Sequence, residues 1–193
     1  MLLDAILDWE WKQQLARRIP KKPNEIHVTE LIYCRKQAEY FDKFREVFVI
    51  NPRTLIGRLV HMGLQEWLKQ EYNAKCEAEF RKELGNCVIV GHPDAIIDGL
   101  LVEIKFAKGV YNNEPYEHHV LQTKLYLWLT ELEYALILYF TPEKLLEFSI
   151  TEKPTDDEVL MLYDTWKSPM WNWECSCCPF NQICPKAVVQ QKR

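Results

Sequence analysis

Residues 91–106 read GHPDAIIDGLLVEIKF, and the fold turns on them. Two apolar runs are joined by Asp98-Gly99, a dipeptide suited to a two-residue hairpin turn in which both central residues take positive φ. With the turn centred there, Asp94 lies opposite Glu103. Directly opposed residues of an antiparallel pair have Cβ atoms roughly 5 Å apart. Lys105, two residues past Glu103, projects from the same face. Val102, Ile96 and Ile104 make the remainder apolar enough to be buried.

Two carboxylates so close repel each other at neutral pH unless positive charge lies between them. A hard divalent cation such as Mg²⁺ or Mn²⁺ suits carboxylate, carbonyl and water oxygens. It would acidify a water nucleophile and offset charge on a phosphoryl oxygen. Lys105, a compact point charge, would stabilise the pentavalent state or orient the attacking water. The alternative for this triplet is a solvent-exposed hairpin face on which Lys105 merely pairs with Glu103.

The surrounding sequence bounds the choice. The chain has 193 residues, 48% hydrophobic and 27% charged, which suits one well-packed domain with a small appendage. No apolar run approaches the ~20 residues of a membrane span. The first eighteen residues, MLLDAILDWEWKQQLARR, mix acidic with apolar positions and carry no basic leader. Their spacing predicts an amphipathic helix over 3–18 rather than a signal peptide, and so a cytoplasmic protein. The net charge of -4 argues against coating nucleic acid by charge alone, but not against a nuclease, whose site is itself acidic. A basic set at Arg17, Arg18, Lys21 and Lys22 reads as a solvated helix end or a phosphate contact.

Further along, Pro20 and Pro23 are expected to end the first helix, and Ile26–Phe44 to form a second with Thr29 as N-cap. Asn51-Pro52 opens a helix whose broad apolar face comprises Ile56, Leu59, Val60, Gly63, Leu64, Trp67 and Leu68. His61 lies beside that face. It is a packing residue, or a metal ligand if the helix crosses the hairpin. Residues 76–84 alternate as a strand, Gly85-Asn86 turns, and Cys87–Val90 begins the next strand, with Cys76 and Cys87 as buried thiols. After a loop at 107–113, a helix runs from about Pro115 to Leu132. Gln122 and Tyr126 share one of its faces, suited to hydrogen bonding or to plain packing; His118 and His119 receive no role. Tyr134–Thr141 and Leu145–Thr151 read as a buried and an edge strand. Thr155–Glu158 is a capping box.

Seven cysteines, an odd number without a secretion signal, favour ligands or core thiols over disulfides. Cys175 and Cys178 form a C-x₂-C pair, and Cys184 follows after five residues. Three thiols so spaced indicate soft-metal ligation, Cys34 is the natural fourth ligand, and Cys177 is an extra thiol. The following Pro185 and the aromatic setting favour an iron–sulfur cluster over zinc. The segment after Pro169 has no long periodic element, so the cluster is expected to staple the tail to the Cys34 segment. Trp171, Trp173 and Phe180 would either stack on bases or shield the cluster.

In order and spacing, Gly57–His61 (GxxxH), His92–Asp94 (HPD), Glu103–Lys105 (EIK), Gln122–Tyr126 (QxxxY), one upstream cysteine and a C-terminal C-x₂-C-x₅-C resemble the RecB-type PD-(D/E)xK nucleases that carry an iron–sulfur cluster. The small size matches the CRISPR-associated exonucleases of that group. The resemblance spans Thr29 to Pro185. It implies an α/β restriction-endonuclease-like core, a mixed central sheet flanked by helices, with a C-terminal cluster region. The segments would be residues 1–24 as an N-terminal helix, 25–167 as the nuclease domain and 168–193 as the cysteine-rich tail. By the resemblance, His61, Asp94 and Glu103 bind Mg²⁺ or Mn²⁺ with the backbone carbonyl of Ile104, and Lys105 is catalytic. Gln122 and Tyr126 place DNA or the lysine. Cys34, Cys175, Cys178 and Cys184 hold the cluster, [4Fe–4S] favoured over [2Fe–2S], unless Cys177 replaces Cys175 or Cys178. The implied activity is 5′→3′ exonuclease action on single-stranded DNA, with endonuclease activity as a second capacity. It would serve prespacer processing beside the CRISPR spacer integrase. The rivals are a repair or recombination nuclease of the same superfamily, a non-catalytic iron–sulfur DNA-binding subunit, and a zinc-ribbon interaction module.

Overall fold

The computed structural model describes residues 1–16, 22 and 24–188. Pro20, Pro23, Arg17, Arg18 and Lys21 lie outside the described residues, so the expected helix stop and most of the basic set do too. Within the described chain, the Asp98-Gly99 hairpin is built as read. Asp98 has φ 48 and Gly99 φ 85. Strand β5 (Ala95–Ile97) pairs antiparallel with β6 (Leu100–Phe106), Ala95 facing Val102 and Ile97 facing Leu100. That register puts Asp94, just before β5, across from Glu103.

The strands form two sheets. A five-stranded mixed sheet has the order β2–β5–β6–β7–β8, where β2 is Lys75–Cys76, β7 Tyr134–Phe140 and β8 Leu145–Ile150. Its β6–β7 pair is parallel and its other pairs are antiparallel. A second sheet of three strands has the order β1–β4–β3, from Glu25–His27, Cys87–Gly91 and Phe80–Leu84. The strand expected over 76–84 is therefore split. Glu77 takes the left-handed backbone (φ 52) and sends β2 and β3 into different sheets.

Helix α1 covers Leu2–Ala16, and its buried Glu10 is ion-paired with Arg58 at 2.5 Å. The helix expected over 26–44 is three elements instead. Ile26 pairs with Ile89 in β1. Helix α2 (Val28–Leu31) is capped by His27, whose N–H donates to Glu30, and not by Thr29. After a break at Ile32–Cys34, α3 runs Arg35–Lys43. Helix α4 (Pro52–Tyr72) starts at Asn51, whose side chain accepts from Arg53 N. Its face carrying Val60, Leu64 and Leu68, one turn apart, packs over the hairpin. Ile56, Leu59 and Trp67 remain exposed, so the buried stripe is narrower than the sequence suggested.

Helix α5 (Glu117–Thr130) is buried along most of its length between the two sheets' contacts. It approaches β4 so closely that a Cβ on Gly91 would lie 2.7 Å from Tyr126 and Leu129 side chains. Helix α6 (Asp156–Asp164) begins at the Thr155 capping box as expected, and α7 (Glu174–Cys177) opens the cysteine-rich tail.

Candidate active site

The hairpin, α4 and α5 bring the sequence-predicted residues into one open cavity lined by His61, Asp94, Glu103, Lys105, Gln122 and Tyr126. Because α4 crosses the hairpin, His61 Nδ1 stands 3.1 Å from Asp94 Oδ1. Asp94 Oδ2 accepts the Ile104 N–H at 2.7 Å, which fixes the carboxylate to the opposite strand. Lys105 Nζ donates to Glu103 Oε1 and to Gln122 Oε1, each at 2.7 Å. Gln122 in turn donates to the Tyr126 hydroxyl at 3.3 Å. The exposed-hairpin alternative is thereby set aside: Asp94 and Glu103 are 7% and 2% exposed.

Burial governs the electrostatics. It pushes Glu103 up to about 7, reinforced by the Asp94 charge and opposed by Lys105. Burial alone would lower Lys105, but the Glu103 and Asp94 carboxylates outweigh it and hold the ammonium above its usual range. Tyr126 is raised well above an ordinary phenol, first by burial and then by Glu103.

Among the described residues, no three His, Cys, Asp or Glu side chains are set to hold a metal ion as placed. The carboxylates are turned onto Ile104, Lys105 and His61. Glu103 Oε2, however, is buried without a hydrogen-bond partner. Such an orphan costs about 1–3 kcal/mol or more for a charged group. A cation would satisfy it, so the donor set fits a hard divalent ion.

Two residues escaped the sequence reading. Gln65 is 8% exposed and donates to the Asp94 carbonyl at 3.1 Å and to Glu77 Oε1 at 2.9 Å. It sits one turn after His61, a spacing that could have flagged it. Glu77 lines the cavity from the turn between the sheets, and nothing local in the sequence announces that.

A second cavity is lined by Cys34, Cys175, Cys178 and Cys184. The Val188 N–H points at Cys175 Sγ at 3.4 Å. Cys177 is exposed, does not line the cavity, and points its thiol back at the Glu174 carbonyl. Four cysteines lining one cavity fit a cluster held by four cysteines, although no three of them are set around a single ion as placed. Phe180 is 3% exposed, packed on Tyr40, Phe41 and Phe44, and the Trp171 ring N–H donates to Ile32 O at 2.7 Å. Phe180 is thereby withheld from bases, while Trp171 is half-buried and Trp173 is 41% exposed.

The fold is that of a mixed α/β protein whose mixed sheet is flanked by helices. LHK-Exo, an alkaline exonuclease from Laribacter hongkongensis, shares that fold with a TM-score of 0.53, over 79% of this chain and 87% of its own, at 11% identity. No protein-family model matches. The chain is 34% identical over 206 residues to the CRISPR-associated exonuclease Cas4 of Saccharolobus solfataricus, covering 98% of this chain and 100% of the relative. The crystal structure of SSO0001 matches with a TM-score of 0.90 and 31% identity over 98% of both chains. The chain belongs to the Cas4 family of CRISPR-associated exonucleases. No helix of the described residues is long and apolar enough to cross a membrane.

Proposed function

We propose that the protein is a divalent-metal-dependent DNA nuclease that trims single strands 5′→3′, with endonuclease activity as a second capacity, during prespacer processing beside the spacer integrase. The carrying observation is the buried Asp94–Glu103 pair beside Lys105, with one Glu103 oxygen left unpartnered. His61, Asp94 and Glu103 would hold Mg²⁺ or Mn²⁺ together with the Ile104 carbonyl. When bound, such an ion supplies an acidified water and charge compensation at the scissile phosphate. Asp94 is held in place by the Ile104 N–H and His61, so its aim is set before substrate arrives. Lys105 would bring positive charge to the reacting phosphate, and the Glu103 and Asp94 carboxylates keep the lysine protonated. Gln122 holds the lysine, and Tyr126 holds Gln122.

The tail is proposed to carry an iron–sulfur cluster on Cys34, Cys175, Cys178 and Cys184, [4Fe–4S] in preference to [2Fe–2S]. The common cavity of these thiols supports it.

The test is anaerobic purification, then cleavage of 5′- and 3′-labelled single strands with Mg²⁺ or Mn²⁺. Glu103→Ala and Lys105→Ala should each lower turnover by at least ~10²-fold, the scale of losing a charge-stabilising group. Undiminished cleavage by both variants would remove this site from the reaction. Cleavage from the 3′ label first would overturn the polarity.

A further inference from the structure

The segment carrying Cys34 is fastened to residues 166–174, which lead into and begin the tail, by five hydrogen bonds from five consecutive residues. Ile32 O and Tyr33 O accept the ring N–H groups of Trp171 and Trp166, each at 2.7 Å. Cys34 N donates to Glu174 Oε1 at 2.7 Å. Arg35 N donates to Lys167 O at 3.1 Å, and Lys36 N to Ser168 Oγ at 2.9 Å. The tail therefore does not depend on an inorganic group alone, as its sequence suggested.

Glu174 is the centre of this seam. It is a carboxylate 3% exposed, and it lines the same cavity as the four cysteines. Oε1 takes the Cys34 N–H, while Oε2 takes the N–H groups of Met170 and Trp171 at 2.7 and 2.8 Å. A buried carboxylate is retained only where donors satisfy it, and charge-assisted bonds of this kind are roughly twice as strong as neutral ones. One side chain thus binds the backbone of the upstream cysteine and that of the turn leading into Cys175. We propose that Glu174 is the positioning residue of the cysteine cradle: it seats Cys34 against the three tail cysteines and keeps the cradle formed before a cluster is inserted. The proposal rests on the four-cysteine cluster reading.

Glutamine in its place has one accepting oxygen, and its NH₂ would face an N–H donor, so one arm of the bridge must open. Trp166→Phe removes a different bond of the seam, the one to Tyr33 O, which involves neither Glu174 nor a cysteine, and serves as the control. Three measurements decide the matter on the full chain. In protein stripped of iron anaerobically, amide exchange at Cys34, Met170 and Trp171 should stay protected in the wild type and open in Glu174→Gln. In loaded protein, chelator-driven iron loss should be at least about tenfold faster in Glu174→Gln, the consequence of a lost hydrogen bond to a charged group, and near wild type in Trp166→Phe. The cluster's midpoint potential should also rise in Glu174→Gln, because a negative charge beside it has gone, an effect a merely structural residue would not produce. Unprotected amides in the iron-free wild type would show that the cluster builds the cradle, and would overturn the proposal even if Glu174→Gln failed to fold. Equal iron loss in Glu174→Gln and Trp166→Phe would overturn it too. Anaerobic protein without iron or visible absorption would instead defeat the cluster reading, leaving the exchange measurement to judge Glu174 alone.

Discussion

Lowering the pH from 7.5 to 5.0 should destabilise the protein through two histidines, and a carboxylate should partly oppose them. His118 lies among Tyr33, Tyr116, Trp171 and Trp173, and burial, then the Lys105 charge, push it down to about 4. His119, with Nδ1 2.7 Å from the Tyr139 hydroxyl, is pushed down to about 2 by the same causes in the same order. In the unfolded chain both titrate near 6.5. Below that pH the unfolded state binds protons that the fold refuses, so stability falls as pH falls, at about 1.4 kcal/mol per unit and group. At pH 5.0 each histidine costs about 2 kcal/mol, about 4 together.

Glu103 has the opposite sign. Its folded value of about 7 lies above its unfolded 4.5, so its burial favours the fold at low pH and weighs against it as pH rises through 7. Between pH 7.5 and 5.0 it returns about 2 kcal/mol. In chelator, the wild type should therefore lose about 2 kcal/mol, a melting-point drop of ~4–8 °C for a chain of this size. Glu103→Gln should lose about 4 kcal/mol, or ~8–16 °C, because nothing offsets the histidines. His119→Gln, which can still bond Tyr139, should be nearly flat over the interval. Thermal melting of the three proteins reads these slopes, and ring-carbon NMR should find His118 and His119 neutral at pH 5.5. The same pH drop in all three proteins, or two ordinary histidine titrations near 6.5, would refute the reasoning.

His61→Ala should raise the Mg²⁺ or Mn²⁺ concentration for half-maximal cleavage by roughly tenfold or more, whereas an unchanged requirement with a lowered melting point would make it a packing residue. Gly91→Ala should destabilise by about 1–3 kcal/mol, since the new Cβ meets Tyr126 and Leu129; an unchanged melting point would mean that α5 can shift freely. Cys177→Ser should leave iron content unchanged and Cys178→Ser should reduce it, measured by iron assay and visible absorbance. Trp173→Ala, with its cluster retained, should weaken single-strand binding by ~1–3 kcal/mol in a titration; equal affinity would leave Trp173 only a shielding role.

The parts of the fold legible in the sequence are those decided locally. Asp98-Gly99 announces its own turn, and the turn sets the register that faces Asp94 toward Glu103. Asn51-Pro52 starts α4, and Thr155 with Glu158 starts α6, because a cap uses neighbours two or three residues away. What stayed hidden depends on distant partners. The helical pattern of 26–44 is locally sound, yet Ile26 joins β4, and residues 32–36 spend their backbone groups on residues 166–174. The alternation of 76–84 is equally sound, yet Glu77 breaks it between two sheets. His118 and His119 carried no pattern at all, since His118 meets Tyr33, Trp171 and Trp173, and His119 meets Tyr139, all from elsewhere in the chain.

Helix α5 ties the two sites together through a single stripe. His118, Gln122 and Tyr126 are spaced four residues apart and so lie along one face. At one end His118 packs on Trp173, with ring centroids 5.1 Å apart, in the turn that leads into the cysteines. One turn on, Gln122 holds Lys105, and a turn further Tyr126 holds Gln122 while pressing on the space that Gly91 leaves open. The lysine's position is therefore set by a helix whose other end leans on the tail. Asp94 has no such dependence, because its anchors are Ile104 in the facing strand and His61 and Gln65 on α4. Disorder in the tail is therefore expected to reach Lys105, through Gln122, before it reaches Asp94. Lys105 and Asp94 thus respond separately to the tail for a structural reason: Gln122, which holds the lysine, lies on α5, whereas His61 and Gln65, which hold Asp94, lie on α4.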